Sequence, residues 1–208
     1  MLDISKILTH PVPHIRIENV FPENIFNQLV EMTKLPLRHD LQIGGGERPP
    51  VKIDLWYPEP TGFHENQIAS VRMEAEKHFV KQVFDRRLEI GNSLGYDLSE
   101  IVFDVPRTTI QGYKNEINDG VYRIHQDISW KVLTSIVYIS PEVNNGTRFY
   151  SNEQGDDMYE DPWKPNCGYI FCRTENSWHN FVNTSSDIRW VFMFNAKKLD
   201  SDTLQSHK

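Results

Sequence analysis

His125 and Asp127 are the first residues of this sequence whose types and spacing could do chemistry. They lie two positions apart in the segment Val121 to Asp127, which is predicted to be a β-strand, so both side chains would project from one face. An imidazole and a carboxylate placed in this way can supply two ligands to a metal ion. With eight histidines and 29 acidic residues in the chain, about one such pair is expected by chance, so a third ligand is needed.

His179 is the candidate for that third ligand. A hairpin turn centred on Ser185 would place His179 opposite Val191. Opposed residues share a sheet face, so Phe181 and Arg189 would point the same way as His179. A lone histidine in an apolar strand can instead be a core residue with a satisfied hydrogen bond, and that alternative stays open.

Arg189 lies in an apolar run from Ile188 to Phe194. Burial of an unpaired guanidinium is strongly unfavourable, so this side chain must meet a carboxylate. The carboxylate could belong to the protein, as an internal salt bridge, or to a bound ligand. The position of Arg189 one predicted strand away from a candidate metal ligand favours the bound ligand.

Two histidines and one carboxylate on a β-scaffold are the ligand set of non-haem Fe(II) oxygenases, which leave coordination positions open for co-substrate and oxygen. A structural zinc site would need four protein ligands, and no fourth is evident in the sequence. The chemistry therefore favours iron, held by His125, Asp127 and His179.

From about Thr109 to Asn195, less than half of the chain, the sequence resembles the 2-oxoglutarate and Fe(II)-dependent dioxygenases, specifically their prolyl-4-hydroxylase-like branch. The matching motifs occur in the order that the family shows. Asn145 stands where the family's turn begins with glycine, a change that a turn position tolerates. The matching pieces are Gly112-Tyr113, the pair His125 and Asp127, the strand end Ile136-Val137-Tyr138-Ile139-Ser140, the turn Asn145-Gly146-Thr147-Arg148-Phe149, the strand start Pro165-Asn166-Cys167-Gly168-Tyr169-Ile170-Phe171, Trp178-His179 and Arg189.

The resemblance implies a double-stranded β-helix core (a cupin-like jelly roll) that holds Fe(II) through His125, Asp127 and His179. It also implies that 2-oxoglutarate chelates the iron while Arg189 binds its distal carboxylate, with hydrogen bonds from Tyr138 and Tyr113. In this family O2 oxidises 2-oxoglutarate to succinate and CO2, and the substrate receives a hydroxyl group. Related halogenases lack the acidic ligand, so the retained Asp127 implies hydroxylation.

Two helices are predicted to support this core. The first, Pro22 to Leu35, opens with proline and carries apolar residues spaced for one buried face. The second, Gly62 to Asn92, is expected to end at Gly91 and Gly95. Its apolar stripe consists of Ile68, Val71, Ala75, Phe79 and Val83.

From Ile101 onward the segments become short, β-branched and aromatic, with turn residues between them. Such strands without intervening helices predict two antiparallel sheets or a jelly roll, with the helices packed outside one sheet. We expect one domain of 208 residues, with a helical support region over 1–100, a catalytic core over 101–196 and a flexible tail over 197–208. The predicted strands are Arg107 to Tyr113, Val121 to Asp127, Val132 to Ile139, Arg148 to Ser151, Gly168 to Arg173, Trp178 to Val182 and Ile188 to Asn195.

Composition limits the remaining function classes. The formal net charge of −7 argues against general binding to nucleic acids or anionic membranes. The two cysteines, Cys167 and Cys172, fit neither a disulfide framework nor a four-ligand zinc site. No secretory signal or membrane-spanning apolar stretch is evident, so a reduced, cytoplasmic setting is expected. The expected partner is a small-molecule, peptide or protein substrate, and oligomeric state has no sequence signal.

Alternatives to a hydroxylase of protein side chains, peptides or amino-acid-like molecules stay open. A catalytically silent, cupin-like protein could hold a carboxylate ligand in the same pocket without turnover. An enzyme acting on alkylated nucleobases is disfavoured by the acidic charge. The acidic segment Ser151 to Asn166 could form either a lid over the site or a solvated loop.

Overall fold

A computed structural model describes residues 2–34, 52–54, 63–103, 109–113 and 122–198. Within these ranges the chain is mainly β, with two antiparallel sheets and three helices. The helices are α1 (Glu23–Thr33), α2 (Phe63–Asp85) and α3 (Arg87–Leu94). The strands are β1 (Ile7–Leu8), β2 (His14–Ile17), β3 (Lys52–Asp54), β4 (Ile101–Phe103), β5 (Thr109–Tyr113), β6 (Lys131–Ser140), β7 (Thr147–Tyr150), β8 (Tyr159–Asp161), β9 (Gly168–Cys172), β10 (Trp178–Phe181) and β11 (Arg189–Lys198).

The larger sheet has the strand order β1-β2-β9-β6-β11-β5-β3, and β4 also pairs with β11. The smaller sheet has the order β10-β7-β8. All the described pairings are antiparallel. This arrangement confirms the prediction of two antiparallel sheets with helices packed against one of them.

The apolar stripe of the second predicted helix is confirmed where its side chains are described. Val71, Ala75, Phe79 and Val83 are all buried in the core between the helices and the larger sheet. The length of that helix was predicted wrongly, because the helical segment is broken at Arg86, which has φ −106° and ψ 12°. Gly95 ends α3 in the left-handed conformation, as expected.

Gly91 is not the helix terminator that its residue type suggested, because it lies inside α3. A methyl group added there would lie 2.4 Å from the carbonyl oxygen of Tyr96. Glycine at this position therefore allows the chain that leaves α3 to return close to the helix.

Most of the predicted strands are confirmed to within a few residues, and two corrections concern strand assignment. Val121 to Asp127 is not a strand in its described part, where His125 alone forms an isolated antiparallel bridge to His179. The helical region predicted for 1–100 also contains β1, β2 and β3, which join the larger sheet. In β2, Ile15 and Ile17 are completely buried, so this short segment is held by packing and by its pairing with β9.

The hairpin predicted around Ser185 is wrong. The strand β10 pairs with β7, so that His179 lies opposite Phe149 and not opposite Val191. Both edges of β11 are already occupied, one by β6 and the other by β5 and β4. Residues 182–188 therefore carry the chain from the smaller sheet to the larger one, and β10 and β11 face each other across the core.

Alternating side chains of the larger sheet build two separate cores. In β11, Trp190, Phe192 and Phe194 face the helices, whereas Val191 packs between the two sheets. In β9, Ile170 joins the first core and Phe171 the second. The two-residue period of the strands thus assigns neighbouring residues to opposite layers.

The segment Ser151 to Asn166 contains β8, the third strand of the smaller sheet. Asp161 is completely buried, and its Oδ2 lies 2.7 Å from Arg16 Nη1. Glu160 Oε2 lies 2.8 Å from Arg148 Nε. These two acids belong to the sheet, so for them both the lid and the solvated-loop interpretations are wrong.

Candidate metal centre

His125, Asp127 and His179 come together beside a cavity that residues of both sheets line. Their potential ligand atoms all lie within 4.8 Å of one another. Asp127 and His179 are buried, with 8% and 6% of their surface exposed, and His125 is half-buried. The three residues that the sequence pointed to thus form one cluster of two imidazoles and one carboxylate.

Backbone hydrogen bonds bring the two histidines together. The amide of His125 donates to the carbonyl oxygen of His179 at 3.0 Å, and the amide of His179 donates back to His125 at 2.9 Å. The amide of Tyr122 donates to the carbonyl oxygen of Phe181 at 2.9 Å. The segment 122–127 therefore lies along the free edge of β10, which places Asp127 next to both imidazoles.

Each imidazole is oriented by a carbonyl oxygen two residues before it. His125 Nδ1 lies 3.1 Å from the oxygen of Arg123, and His179 Nδ1 lies 3.0 Å from that of Ser177. A carbonyl oxygen only accepts hydrogen bonds, so Nδ1 carries the proton in both rings. The Nε2 atom of each ring is then the one with a lone pair for a metal ion.

The charge states of the cluster suit a cation. Burial lowers the pKa of His125 to about 4, with the neighbouring His179 adding to the effect. Burial also lowers the pKa of His179. Burial acts to raise the pKa of Asp127, but the charges of Lys131 and His179 and a hydrogen bond from Thr134 outweigh it and hold that pKa at about 2. At neutral pH the cluster therefore has two neutral imidazoles and one carboxylate.

Two side chains from β6 hold the carboxylate of Asp127. Lys131 Nζ lies 2.9 Å from Oδ1, and the Thr134 hydroxyl donates to Oδ2 at 2.6 Å. The guanidinium of Arg173 donates to the backbone oxygen of Asp127 at 2.8 Å. Asp127 is thus held at its backbone and at both carboxylate oxygens.

A cavity of about 120 Å³ opens beside the cluster. Its residues come from both sheets and from the segment before β6. The lining residues are Tyr122, His125, Asp127, Lys131, Thr134, Ile136, Thr147, Tyr169, His179, Phe181 and Met193.

Hydroxyl groups and a buried cation lie together near one part of this cavity. Thr147 and Tyr169 belong to its lining, and the Tyr169 side chain is completely buried. Arg189, with 1% of its surface exposed, places Nη2 3.5 Å from the Thr147 hydroxyl. Its guanidinium carbon lies 4.3 Å from the centre of the Phe181 ring. Arg189 thus lies just behind two residues of the lining.

The two tyrosines expected to bind a ligand are placed differently. The Tyr138 hydroxyl donates to Asp161 Oδ2 at 3.1 Å and accepts from the amide of Thr147 at 3.0 Å. The backbone of Tyr113 pairs with Arg189, but its side chain lies outside the described part of the structure. The Tyr138 hydroxyl is therefore hydrogen-bonded to protein groups. The centre of its ring lies 5.5 Å from the guanidinium carbon of Arg189.

Sequence reasoning missed Lys131, Thr134, Thr147 and Tyr169. A two-residue period in β6 was the available signal for Thr134, because it shares a strand face with Tyr138. Lys131 and Tyr169 carried no comparable signal, since their roles depend on which sheets face each other.

Solved structures similar to this chain identify its fold. A prolyl hydroxylase from Trichoplax adhaerens, in complex with a hypoxia inducible factor oxygen degradation domain peptide fragment, matches with a TM-score of 0.55 and 12% identity, over 94% of this chain and 87% of that one. A Pseudomonas putida prolyl-4-hydroxylase matches with a TM-score of 0.52 and 12% identity, over 90% of this chain and 93% of that one. The chain has the prolyl-hydroxylase fold. The double-stranded β-helix expected from the motifs is thereby confirmed.

The other comparisons add no family assignment. No protein-family model matches the sequence, and no curated protein matches it. The resemblance to the prolyl-4-hydroxylase-like branch is supported by the structural similarity at low sequence identity. Within the described residues, no helix is long and apolar enough to cross a membrane.

Proposed function

We propose that this protein is an Fe(II)- and 2-oxoglutarate-dependent dioxygenase that hydroxylates a protein or peptide side chain or an amino-acid-like molecule. The observation that carries the proposal is the cluster of His125, Asp127 and His179 beside a cavity, in a chain with the prolyl-hydroxylase fold. The released products would be succinate and CO2.

The donor set fits Fe(II). Two neutral imidazole nitrogens and one carboxylate oxygen leave positions open for other ligands, and a closed structural zinc site needs a fourth protein ligand. The described residues contain no fourth histidine, cysteine or acid in this cluster. When bound, the iron would supply the activation of O2 and a chelation site for 2-oxoglutarate.

The distal carboxylate of 2-oxoglutarate is assigned to the part of the cavity near Arg189. The hydroxyls of Thr147 and Tyr169 would donate hydrogen bonds to it, and Arg189 would balance its charge from behind Thr147. Tyr138 would act by holding this region in place through its bonds to Asp161 and Thr147. Tyr113 remains a proposed contact on the basis of the family resemblance and its pairing with Arg189.

Apolar groups would exclude water from the reacting atoms. Ile136, Phe181 and Met193 supply apolar side chains to the lining of the cavity. Phe181 also stacks on Tyr122, with ring centres 5.1 Å apart. Apolar lining of this kind strengthens electrostatic interactions inside the cavity because it lowers the local dielectric.

The test is anaerobic addition of Fe(II) and 2-oxoglutarate to the full-length protein, followed by admission of air. A weak visible charge-transfer band before air, and succinate formation after it, are the expected results. A variant His179→Ala should give neither, and His78→Ala, which changes a histidine outside the cluster, should give both. Absence of the band and of succinate in the wild type would contradict the proposal.

The same experiment separates the enzyme from a silent binding protein. A protein that holds 2-oxoglutarate but never forms succinate, with any member of a panel of peptides and amino acids, would be the cupin-like binder. Stimulation of succinate release by one panel member would identify the substrate class.

A further inference from the structure

Lys131 is the one lysine or arginine among the described residues that line the cavity. It is the first residue of β6, and only 17% of its side chain is exposed. Its ammonium group lies 2.9 Å from Oδ1 of Asp127. An ammonium group buried to this degree needs a negative partner, and Asp127 supplies it in this structure.

A metal ion at the cluster would compete for that same partner. The single negative charge of Asp127 would then be shared between a dication and the ammonium group of Lys131. Asp127 is the only acidic residue among the described residues that line the cavity. The charges of the dication and of Lys131 would then exceed that of Asp127 by two, in a partly buried site where like charges repel strongly.

We propose that Lys131 binds a carboxylate group next to the metal ion. This inference rests on the proposed function, because it requires a metal at His125, Asp127 and His179. The carboxylate would lie within hydrogen-bond distance of Nζ, and it would restore the charge balance that the metal disturbs. Lys131 would therefore bind a carboxylate next to the metal ion, whereas Arg189 would stabilise the distal carboxylate of 2-oxoglutarate elsewhere in the cavity.

Two molecules could carry the carboxylate group that Lys131 binds. One is the keto acid itself, through the carboxylate next to its keto group. The other is the substrate, which would then carry a carboxylate close to the carbon that is hydroxylated. The chemistry at Lys131 is the same in both cases, and binding measurements distinguish them.

The experiment uses full-length protein with Fe(II) under anaerobic conditions and compares wild type with Lys131→Met, which keeps the aliphatic stem. The probes are 2-oxoglutarate and 2-oxobutyrate, which shares the carboxylate beside the keto group but lacks the distal one. If Lys131 binds the keto-acid carboxylate, Lys131→Met should raise Kd for both probes by the same factor, about 10- to 100-fold. Lys131→Arg should recover part of the loss, and Lys81→Met, on the exposed face of α2, should have no effect.

If the carboxylate belongs to the substrate, both keto acids should bind Lys131→Met normally. N-acetylglycine should then perturb the visible band of the wild-type complex with Fe(II) and 2-oxoglutarate but not that of Lys131→Met. Its uncharged match, N-acetylglycinamide, should perturb neither. Either result supports the inference. The two results also distinguish the keto acid from the substrate as the molecule that carries the carboxylate.

Other outcomes would overturn it. One such outcome is that wild type and Lys131→Met have equal affinities for both keto acids and for N-acetylglycine. This result would show that Lys131 binds no carboxylate. Loss of Fe(II) binding in Lys131→Met would show that the lysine only supports Asp127. A wild type that binds no Fe(II) would instead refute the proposed function itself. Thermal unfolding checks the fold of each variant, and Lys131→Gln replaces the methionine variant if that one does not fold.

Discussion

The backbones of His125 and His179 form a reciprocal pair of hydrogen bonds, 3.0 and 2.9 Å long, while their imidazole rings lie with centres 4.4 Å apart. The contact that brings the two rings together is therefore made by main-chain atoms. Side-chain substitution at either position leaves those atoms in place.

The first prediction follows from this separation of roles. His125→Ala should lose Mn(II) and Fe(II) binding while its free energy of unfolding stays within about 1 kcal/mol of wild type, because the bridge is retained. Isothermal titration with Mn(II) and urea unfolding of the metal-free protein measure the two effects. An alanine variant that binds Mn(II) as tightly as wild type would remove His125 from the ligand set.

The second prediction concerns Thr134, whose hydroxyl donates to Asp127 at 2.6 Å. Thr134→Val keeps the shape but removes this hydrogen bond, so Mn(II) affinity should fall about 10-fold or more. Thr134→Ser keeps the hydroxyl and is the matched control, which should bind within a few-fold of wild type. Equal Mn(II) affinity for the valine and serine variants would contradict an orienting role for the hydroxyl.

The third prediction tests the assignment of Arg189. Arg189→Met should spare Fe(II) binding and raise Kd for 2-oxoglutarate about 10- to 100-fold, because a charge-assisted contact to the distal carboxylate is lost. The affinity for 2-oxobutyrate, which lacks that carboxylate, should change little. Anaerobic titration of the visible band gives both constants. Unchanged binding of 2-oxoglutarate would refute the role proposed for Arg189.

The fourth prediction concerns the pH dependence of stability in the metal-free protein. Burial lowers the pKa of His125 to about 4, against about 6.5 in an unfolded chain. Between these two pKa values the His125 imidazole is protonated in the unfolded state but not in the folded state. The free energy of unfolding should therefore fall as pH drops below about 6.5. The loss from this residue should approach about 1.4 kcal/mol per pH unit until about pH 4.

Burial also lowers the pKa of His179 and of His14, so both add to the slope in the same direction. Urea unfolding at pH 7.5 and 5.0, with a chelator present, measures the total. His125→Ala should show a shallower decline than wild type. Identical declines for the two proteins would contradict the depressed pKa of His125.

The fifth prediction concerns the close approach of β9 and β6. A methyl group on Gly168 would lie 1.8 Å from the carbonyl oxygen of Ile136, so Gly168→Ala should cost more than about 3 kcal/mol of stability or prevent folding. Gly95→Ala is the control, because the added methyl group meets nothing within 4 Å and only the positive φ of 68° is strained. It should cost about 1 kcal/mol. Chemical unfolding that gave similar losses for both variants would contradict this account.

Much of the site followed from residue type and spacing. The two-residue interval between His125 and Asp127 and the apolar context of Arg189 were enough to single out these residues. The apolar intervals of α2 and the short, β-branched and aromatic segments that form β6, β9 and β11 likewise predicted which elements form. These features are local, because periods of two residues in strands and three or four in helices decide which face of an element is buried. The predictions of a single domain and a cytoplasmic setting rest on the sequence alone.

What failed was the assignment of strand partners. Residues His179 and Val191 were expected to be neighbours in one sheet, but they belong to sheets that face each other. The turn residues around Ser185 resemble those of a hairpin. They do not show that both edges of β11 are already occupied by β4, β5 and β6. Competition among strands for the same edge is a property of the whole chain.

The sequence by itself determined the residue types of the proposed metal site and singled out His125, Asp127 and His179 as its members. The tertiary structure alone decided that Lys131 and Thr134 hold Asp127, that Tyr169 lines the cavity and that Arg189 lies behind Thr147. Hydrophobic periodicity specifies which side of a strand is buried, but it does not specify which other strand covers it. That choice depends on how two sheets and three helices together bury their apolar surfaces, which only the folded chain resolves.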